Sequence, residues 1–294
     1  MHFDSAHLTA LAAILRHGSF DMAATHLGVT PSAVSQRIRA LEERAGTALI
    51  VRGQPCIATG AGARLARHAE NIRLLESSVL EQMAPDSMQA GELPMVRLAV
   101  NADSLATWLV PALASARGAI WDLVVDDQDH AADWLRRGEV SAAVSSHAGP
   151  VPGCDSMSLG SLRYIATASP AFVARWFSDG LTPEAAAAAP LMMFNGKDRL
   201  QHRWISEVTG HRLSPPAHRI ASTHAFVDAA LAGLGWCMNP ESLVQTHLDS
   251  GALVALRPEA PLDVPLFWQA SRLMTNVLTP LNRAVRDAAA GKLK

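Results

Sequence analysis

Apolar positions in this chain keep helical spacing over most of the first eighty residues and then change period. Between Phe3 and Arg16, Leu8, Leu11, Ala12 and Leu15 return every three or four residues, as on an amphipathic helix. Two shorter helical patterns run from Gly18 to Gly46, hinged at Gly28. The first begins after Ser19, whose hydroxyl suits an N-cap, and carries Met22, Ala23 and Leu27. Gly28 stands where a left-handed residue closes such a helix. Thr30 caps the second helix, whose first residue, Pro31, has no N–H to lose there. Val34, Ile38 and Leu41 form its apolar face, and Ser32, Ser35, Gln36 and Arg39 the opposite one. A tight glycine turn and an alanine-rich crossing predict a helix-turn-helix whose second helix enters the major groove.

The next stretch predicts a wing and a long helix. Ala48–Arg52 and Cys56–Ala58 are short strand patterns around Gly53-Gln-Pro55, with Arg52 placed near a DNA backbone or minor groove. From Gly62 to Gln82, Leu65, Ala69, Ile72, Leu75, Val79 and Met83 make a near-heptad stripe. A helix of about twenty residues spans roughly 30 Å, so the stripe is expected to pack on a partner chain; the alternative is a helix lying on its own domain. Pro85, Ser87, Gly91 and Pro94 mark a linker.

Beyond Met95 strands alternate with helices. The first series is a strand at Val96–Val100, a helix at Leu105–Ala116, a strand at Ile120–Val125, a helix at Ala131–Arg137 and a strand at Val140–Val144. The second runs from Tyr164 through Leu191–Phe194, a helix around Trp204, Arg219–Ala221, a helix at Ala225–Leu231 and Trp236–Met238. Ala185–Ala189 reads as helix, Val264–Ala270 as a strand returning to the first series, and Asn282–Ala289 as the last helix. The fold class expected is α/β with an N-terminal, all-α winged helix-turn-helix. The domains are residues 1–60 for DNA reading, 61–90 for linker and dimerisation, and 91–294 for a two-lobed body. One lobe takes residues 91–161 and 267–294, the other 162–266.

Composition narrows the chemistry. In 294 residues, 49% are hydrophobic and 18% charged, with a formal net charge of −2. That balance excludes a protein that coats nucleic acid, so DNA contacts must be local. They rest on Arg37, Arg39, Arg44, Arg52 and Arg64, since lysine is absent before Lys197, and so few cations call for a dimer on two half-sites. No apolar run of membrane length and no secretory pattern occur, which leads to a cytoplasmic expectation with no membrane partner. Cys56, Cys154 and Cys237 are too scattered for a zinc or redox motif. His202, His211, His218 and His224 lack ligand spacing, and no dinucleotide, Walker, nucleophile-elbow or zinc-protease motif is present. Neither an enzyme, a metal nor a cofactor is expected.

Gly18-Ser-Phe20, Ala23-Ala24, Leu27-Gly28-Val29, Ser32-Ala33-Val34-Ser35 and Leu41-Glu42 resemble the N-terminal signature of LysR-type transcriptional regulators. Ile50, where the family often has Phe, and Thr59-Gly-Ala-Gly62 depart from it. Asn101–Trp108, Asp126-Asp127, Leu135–Val140 and Cys237-Met238 resemble the ArgP/LysG subgroup. That resemblance implies an effector domain like a periplasmic binding protein, a basic amino acid (lysine or arginine) as effector, and activation of an amino acid export gene. The implied partners are double-stranded DNA, RNA polymerase and further copies of the chain, as a homodimer or homotetramer.

The residues supply a physical case for that effector. In open α/β lobes, ligands bind beyond the strand ends, where helix N-termini favour anions. Asn101, Asp103, Ser104 and Thr107 lie at such a junction, Ser104 opening the helix, and Ser222 and Thr223 at its counterpart in the second lobe. Together they suit an α-carboxylate. Asp126 and Asp127, adjacent acids without an evident local cationic partner, suit a lysine or arginine side chain; the alternative is that they, like Asp103, merely cap a helix. Asn239 and Ser145, with Ser146, are further candidates for the amino group. The rival readings are a regulator of the same type with a different small-molecule effector and, after it, a DNA-bending protein without effector.

Overall fold

The computed structural model describes residues 2–83 and 93–294. The expected linker residues Pro85, Ser87 and Gly91 lie outside that range. Two compact units divide the chain, one formed mainly by residues 1–96 and the other mainly by the remainder.

In the first unit, α1 (Ser5–His17), α2 (Phe20–Leu27) and α3 (Pro31–Ala45) enclose a core of Leu8, Leu11, Ile14, Ala23, Ala24, Val34, Ile38 and Leu41. Local chemistry sets each boundary. Asp4 accepts the Ala6 and His7 N–H groups, the Ser19 hydroxyl accepts that of Met22, and Thr30 Oγ1 accepts that of Ala33. Gly28 ends α2 at a φ of +63°, a conformation costly for residues with a Cβ. A minimal wing follows, β1 (Ile50–Val51) paired antiparallel with β2 (Ile57–Ala58). Then α4 (Gly60–Met83) runs back along α1. A Cβ added at Gly62 would run into the Leu49 carbonyl oxygen, so this close approach requires glycine.

The apolar stripe of α4 divides in two. Ala69 is buried in the unit's own core, and Leu65 and Ile72 pack against it. Arg16 pairs with Glu70 at 2.5 Å across α1 and α4. Leu75, Val79 and Met83 stay exposed. The seam expected over the whole stripe is therefore corrected for its first half, because the same spacing equally serves packing on α1.

The second unit is built on a seven-stranded sheet. Its first lobe holds β3 (Met95–Val100), a helical stretch from Ala102 to Ser115, β4 (Ile120–Val125), then α7 (Ala131–Arg136) and β5 (Ala142–Ser145), with β3 and β5 parallel. That helical stretch is α5 (Ala102–Ser104), a π-helical turn (Leu105–Leu109) and α6 (Val110–Ser115). Pro111 has no N–H for the Thr107 carbonyl and crowds it, which accounts for the widened turn. The helix starts two residues before Ser104, the expected first residue, and Asn101 stands at its N-cap position without a side-chain capping bond.

A long strand, β6 (Cys154–Ala168), carries the chain into the second lobe. There follow α8 (Pro170–Trp176), α9 (Pro183–Ala188), β7 (Leu191–Met193), α10 (Leu200–Thr209), β8 (Ala217–Arg219), α11 (Thr223–Leu231), β9 (Cys237–Pro240), α12 (Glu241–Asp249) and β10 (Val254–Ala255). The strand β11 (Leu262–Ser271) returns antiparallel to β6 along its whole length, with a register shift between Leu266 and Phe267, and pairs with β5. The last helix, α13 (Thr275–Ala290), packs on α6. Two strands thus run through both lobes. The lobes keep separate apolar clusters, one around Ala131, Leu135 and Val140, the other around Ile165, Phe226, Val227 and Val244.

Candidate functional site

On α3, Val34, Ile38 and Leu41 point into the core, leaving Ser32 and Gln36 exposed and Ser35 and Arg37 half-exposed. Hydroxyl, amide and guanidinium groups on one helical face can address base edges and phosphates. Ser32 Oγ lies 3.0 Å from Thr30 Oγ1 at the helix start. Arg39 pairs with Glu43 one turn on, Nε to Oε1 3.0 Å, an exposed contact easily exchanged for a phosphate. Arg52 stacks over the Phe20 ring at 5.2 Å, tying the wing to α2.

In the second unit, the strand-to-helix junctions of both lobes converge. Asp103 reaches from the start of the first-lobe helix to two hydroxyls: Tyr164 donates to Oδ2 at 2.6 Å and Thr223 donates to Oδ1 at 2.7 Å. Thr223 is the first residue of α11, so Asp103 ties the start of the first-lobe helix to the start of α11 through that residue's hydroxyl. Burial raises its pKa above the ordinary 3.8 despite these two donors. Asp103 is therefore a link between lobes and not the cap of its own helix.

Asp126 and Asp127 face the same region but differ in surroundings. Asp126 Oδ1 accepts the Asp127 N–H at 2.8 Å and the Lys197 ammonium at 3.0 Å; Oδ2 accepts the Trp134 indole N–H at 2.9 Å. Burial pushes its pKa up, but these donors outweigh it and hold the group below 3.8. Lys197 belongs to the second lobe, 71 residues away, so Asp126 has a cationic partner although none stands near it in sequence. Asp127 Oδ1 accepts one backbone N–H, from Asp129, at 2.8 Å. Its pKa is raised by burial first and then by the nearby charges of Asp129 and Asp198.

Unmet hydrogen-bonding capacity surrounds these acids. Asn101, 3% exposed, donates to Gln128 Oε1 at 3.3 Å and leaves its own Oδ1 without a partner. The hydroxyl of Ser104, 0% exposed, and Oδ1 of Asn239, also 0% exposed, have none either. Buried polar atoms left this way cost about 1–3 kcal/mol each and mark places where something polar belongs.

Other sequence-predicted residues are committed elsewhere. Thr107 donates to the Asp103 carbonyl at 2.6 Å, so its proton is spent within the helix, and Ser222 is the N-cap of α11, accepting from Ala225 N–H at 3.3 Å. Ser145 is buried and accepts the His147 N–H at 3.1 Å; Ser146 bonds to Asp129. Asn239 Nδ2 donates to Thr167 and lies 3.1 Å from Cys237 Sγ. Tyr164, Lys197 and Asp198 were not picked out from sequence, although Tyr164 is the chain's single tyrosine. Asp198 accepts the Phe194 and Leu200 N–H groups at 2.9 and 3.0 Å as the turn after β7 enters α10. An Asn-Gly-Lys-Asp turn after a strand signals an N-cap, but nothing local shows what else it faces.

The three cysteines are free and buried. Among the described residues no metal-binding cluster occurs and no helix is long and apolar enough to cross a membrane.

Comparison with known proteins extends this picture. Residues 5–63 match the model of the bacterial regulatory helix-turn-helix protein, lysR family, and residues 89–291 that of the LysR substrate binding domain. The HTH-type transcriptional regulator LysG of Mycobacterium tuberculosis is 42% identical over 98% of this chain and 94% of its own length. The crystal structure of ArgP from Mycobacterium tuberculosis superposes with a TM-score of 0.82 at 42% identity, covering 100% of this chain and 99% of that one. Full-length LysG from Corynebacterium glutamicum with bound effector Arg superposes with a TM-score of 0.68 at 36% identity, covering 99% of both chains.

Proposed function

The chain belongs to the LysR family of helix-turn-helix transcriptional regulators, and from that premise we propose that it couples DNA binding through α3 to a basic amino acid held between the lobes of its second unit. The carrying observation is the charge of that region: Asp103, Asp126, Asp127 and Asp198 gather there and, among the described residues, one lysine or arginine, Lys197, pairs with them. A site so biased favours a ligand with net positive charge, as lysine and arginine have and neutral amino acids lack. The arginine bound by the Corynebacterium glutamicum relative agrees with this chemistry.

Asp127 is the receptor for the distal cation, since among the described residues no lysine or arginine pairs with it. A charge-assisted bond there contributes about 1.5–3 kcal/mol, roughly tenfold to a hundredfold in affinity. Asn101, Ser104 and Asn239 offer their unmet oxygens to the head group, where the Ser104 hydroxyl can donate to the carboxylate and the amide oxygens can accept from the amine. Ser35 and Gln36 read base edges, while Arg37 and Arg52 hold the backbone. The exposed half of α4, Leu75, Val79 and Met83, meets a second copy of the chain, which supplies the second half-site that so few arginines require.

Calorimetry with lysine, arginine, citrulline and norleucine, followed by DNA footprinting with and without the binders, tests the reading. Lysine or arginine should bind about tenfold or more tightly than the neutral analogues and should alter the footprint. Equal affinity for charged and neutral analogues rejects the cationic site, and an unchanged footprint rejects the coupling.

A further inference from the structure

The four aspartates of the cleft divide once their partners are compared. Asp103 holds two hydroxyls, and Asp198 holds two backbone N–H groups at the entrance to α10. Asp126 has a donor on each oxygen, one of them the Lys197 ammonium, whereas Asp127 has a single backbone N–H. Among the described residues, Lys197 is therefore the lysine or arginine that pairs with one of these four acids.

The Lys197 side chain is 51% exposed and that of Asp126 17%. An ion pair so open to solvent contributes about 0–1 kcal/mol, too little to hold two lobes together. Its consequence is electrostatic: it determines how many negative charges the paired aspartates present to a ligand. We propose that Lys197 is a specificity-determining residue, its ammonium filling Asp126 from the opposite lobe so that one free carboxylate, Asp127, faces the effector and one side-chain cation is accepted. This rests on the basic amino acid reading above and adds to it the number of cations admitted. The neighbouring unpartnered oxygens of Asn101 and Ser104, both buried, mark the same place as one built for a polar ligand.

The test compares L-lysine with Nε-(2-aminoethyl)-L-lysine, whose side chain carries a second amine. Wild-type protein should prefer lysine. In Lys197→Met the aliphatic stem is kept and the ammonium lost, so the second amine of the analogue can take its place on Asp126. The ratio of the two dissociation constants should shift toward the analogue by about fivefold, the upper value of an ammonium contact with a carboxylate this open to solvent. The double variant Lys197→Met/Asp126→Asn removes the exposed acid and should return the ratio toward that of wild type, a reversal that mere loss of a lobe contact would not give. Thermal unfolding of each variant establishes that it is folded. An unmoved ratio in Lys197→Met, or a double variant that keeps the shifted ratio, overturns the proposal. Wild-type protein that binds neither lysine nor arginine overturns the parent reading, and this inference with it.

Discussion

The helix-turn-helix unit and the cleft are assembled in opposite ways. In the first, each polar group that ends a helix is answered within a few residues: Ser19 by Met22, Thr30 by Ala33, Asp4 by Ala6 and His7. Its core is apolar and its reading face is left to solvent. In the cleft, partners come from far along the chain, Asp103 with Tyr164 and Thr223, Asp126 with Lys197, and several buried oxygens have none. Local satisfaction gives a rigid reader; distant and incomplete satisfaction gives a region whose energy changes when a ligand arrives.

That contrast can be broken first where the reader is most tightly packed. Gly62→Ala should destabilise the first unit by about 1–3 kcal/mol, because its Cβ meets backbone that cannot move aside. Denaturant unfolding should show the loss, with arginine affinity unchanged; a variant as stable as wild type would mean that α4 is free to shift. Next, Asp127→Asn should weaken lysine and arginine binding by roughly tenfold to a hundredfold in calorimetry. Asp126→Asn should do less, since its charge is already occupied, and equal losses would dissolve the distinction between the two neighbours.

Smaller effects sharpen the reader's face. Arg37→Ala should weaken binding to all DNA sequences alike and lower the slope of affinity against salt by about one. Gln36→Ala should relax base preference while leaving that slope unchanged, and the reverse result would show the face misassigned. The smallest effect concerns acid. Asp103 titrates above its ordinary 3.8 in the folded chain, so its stabilising contribution is full below that value and is lost as pH rises through the folded pKa. Asp103→Asn removes this titration, and its unfolding free energy should fall less steeply with pH above 3.8 than that of wild type. Equal slopes would mean that burial does not hold the proton there.

The same contrast explains what could be read from residues alone. Ser19, Gly28, Thr30 and Pro31 announce the helix-turn-helix because capping and turn chemistry are local, and the boundaries observed lie where those residues put them. The stripe on α4 was readable as a stripe, but three- and four-residue spacing does not say whose surface it meets, and Leu65, Ala69 and Ile72 meet their own domain. The first half of β6 was missed: Ser156, Ser158, Gly160 and Ser161 give little apolar alternation, and β11 supplies the pairing from over a hundred residues away. In the cleft, Asn101, Asp103, Asp126, Asp127 and Thr223 were legible as acids and polar groups after strands. Tyr164 within a strand and Lys197 in a turn were not, since only the closing of the lobes brings them to those acids.

The strand β11 passes through two environments with one bulge between them. Up to Leu266 its buried positions alternate with exposed Asp263 and Pro265; beyond Phe267, Trp268, Gln269 and Ala270 are buried in succession. A saturation library along this strand should therefore record every second position tolerating polar replacements at its start and none of these three tolerating them near its end. One ten-residue segment would carry two different rules of sequence variation, changing where the ladder slips by a residue.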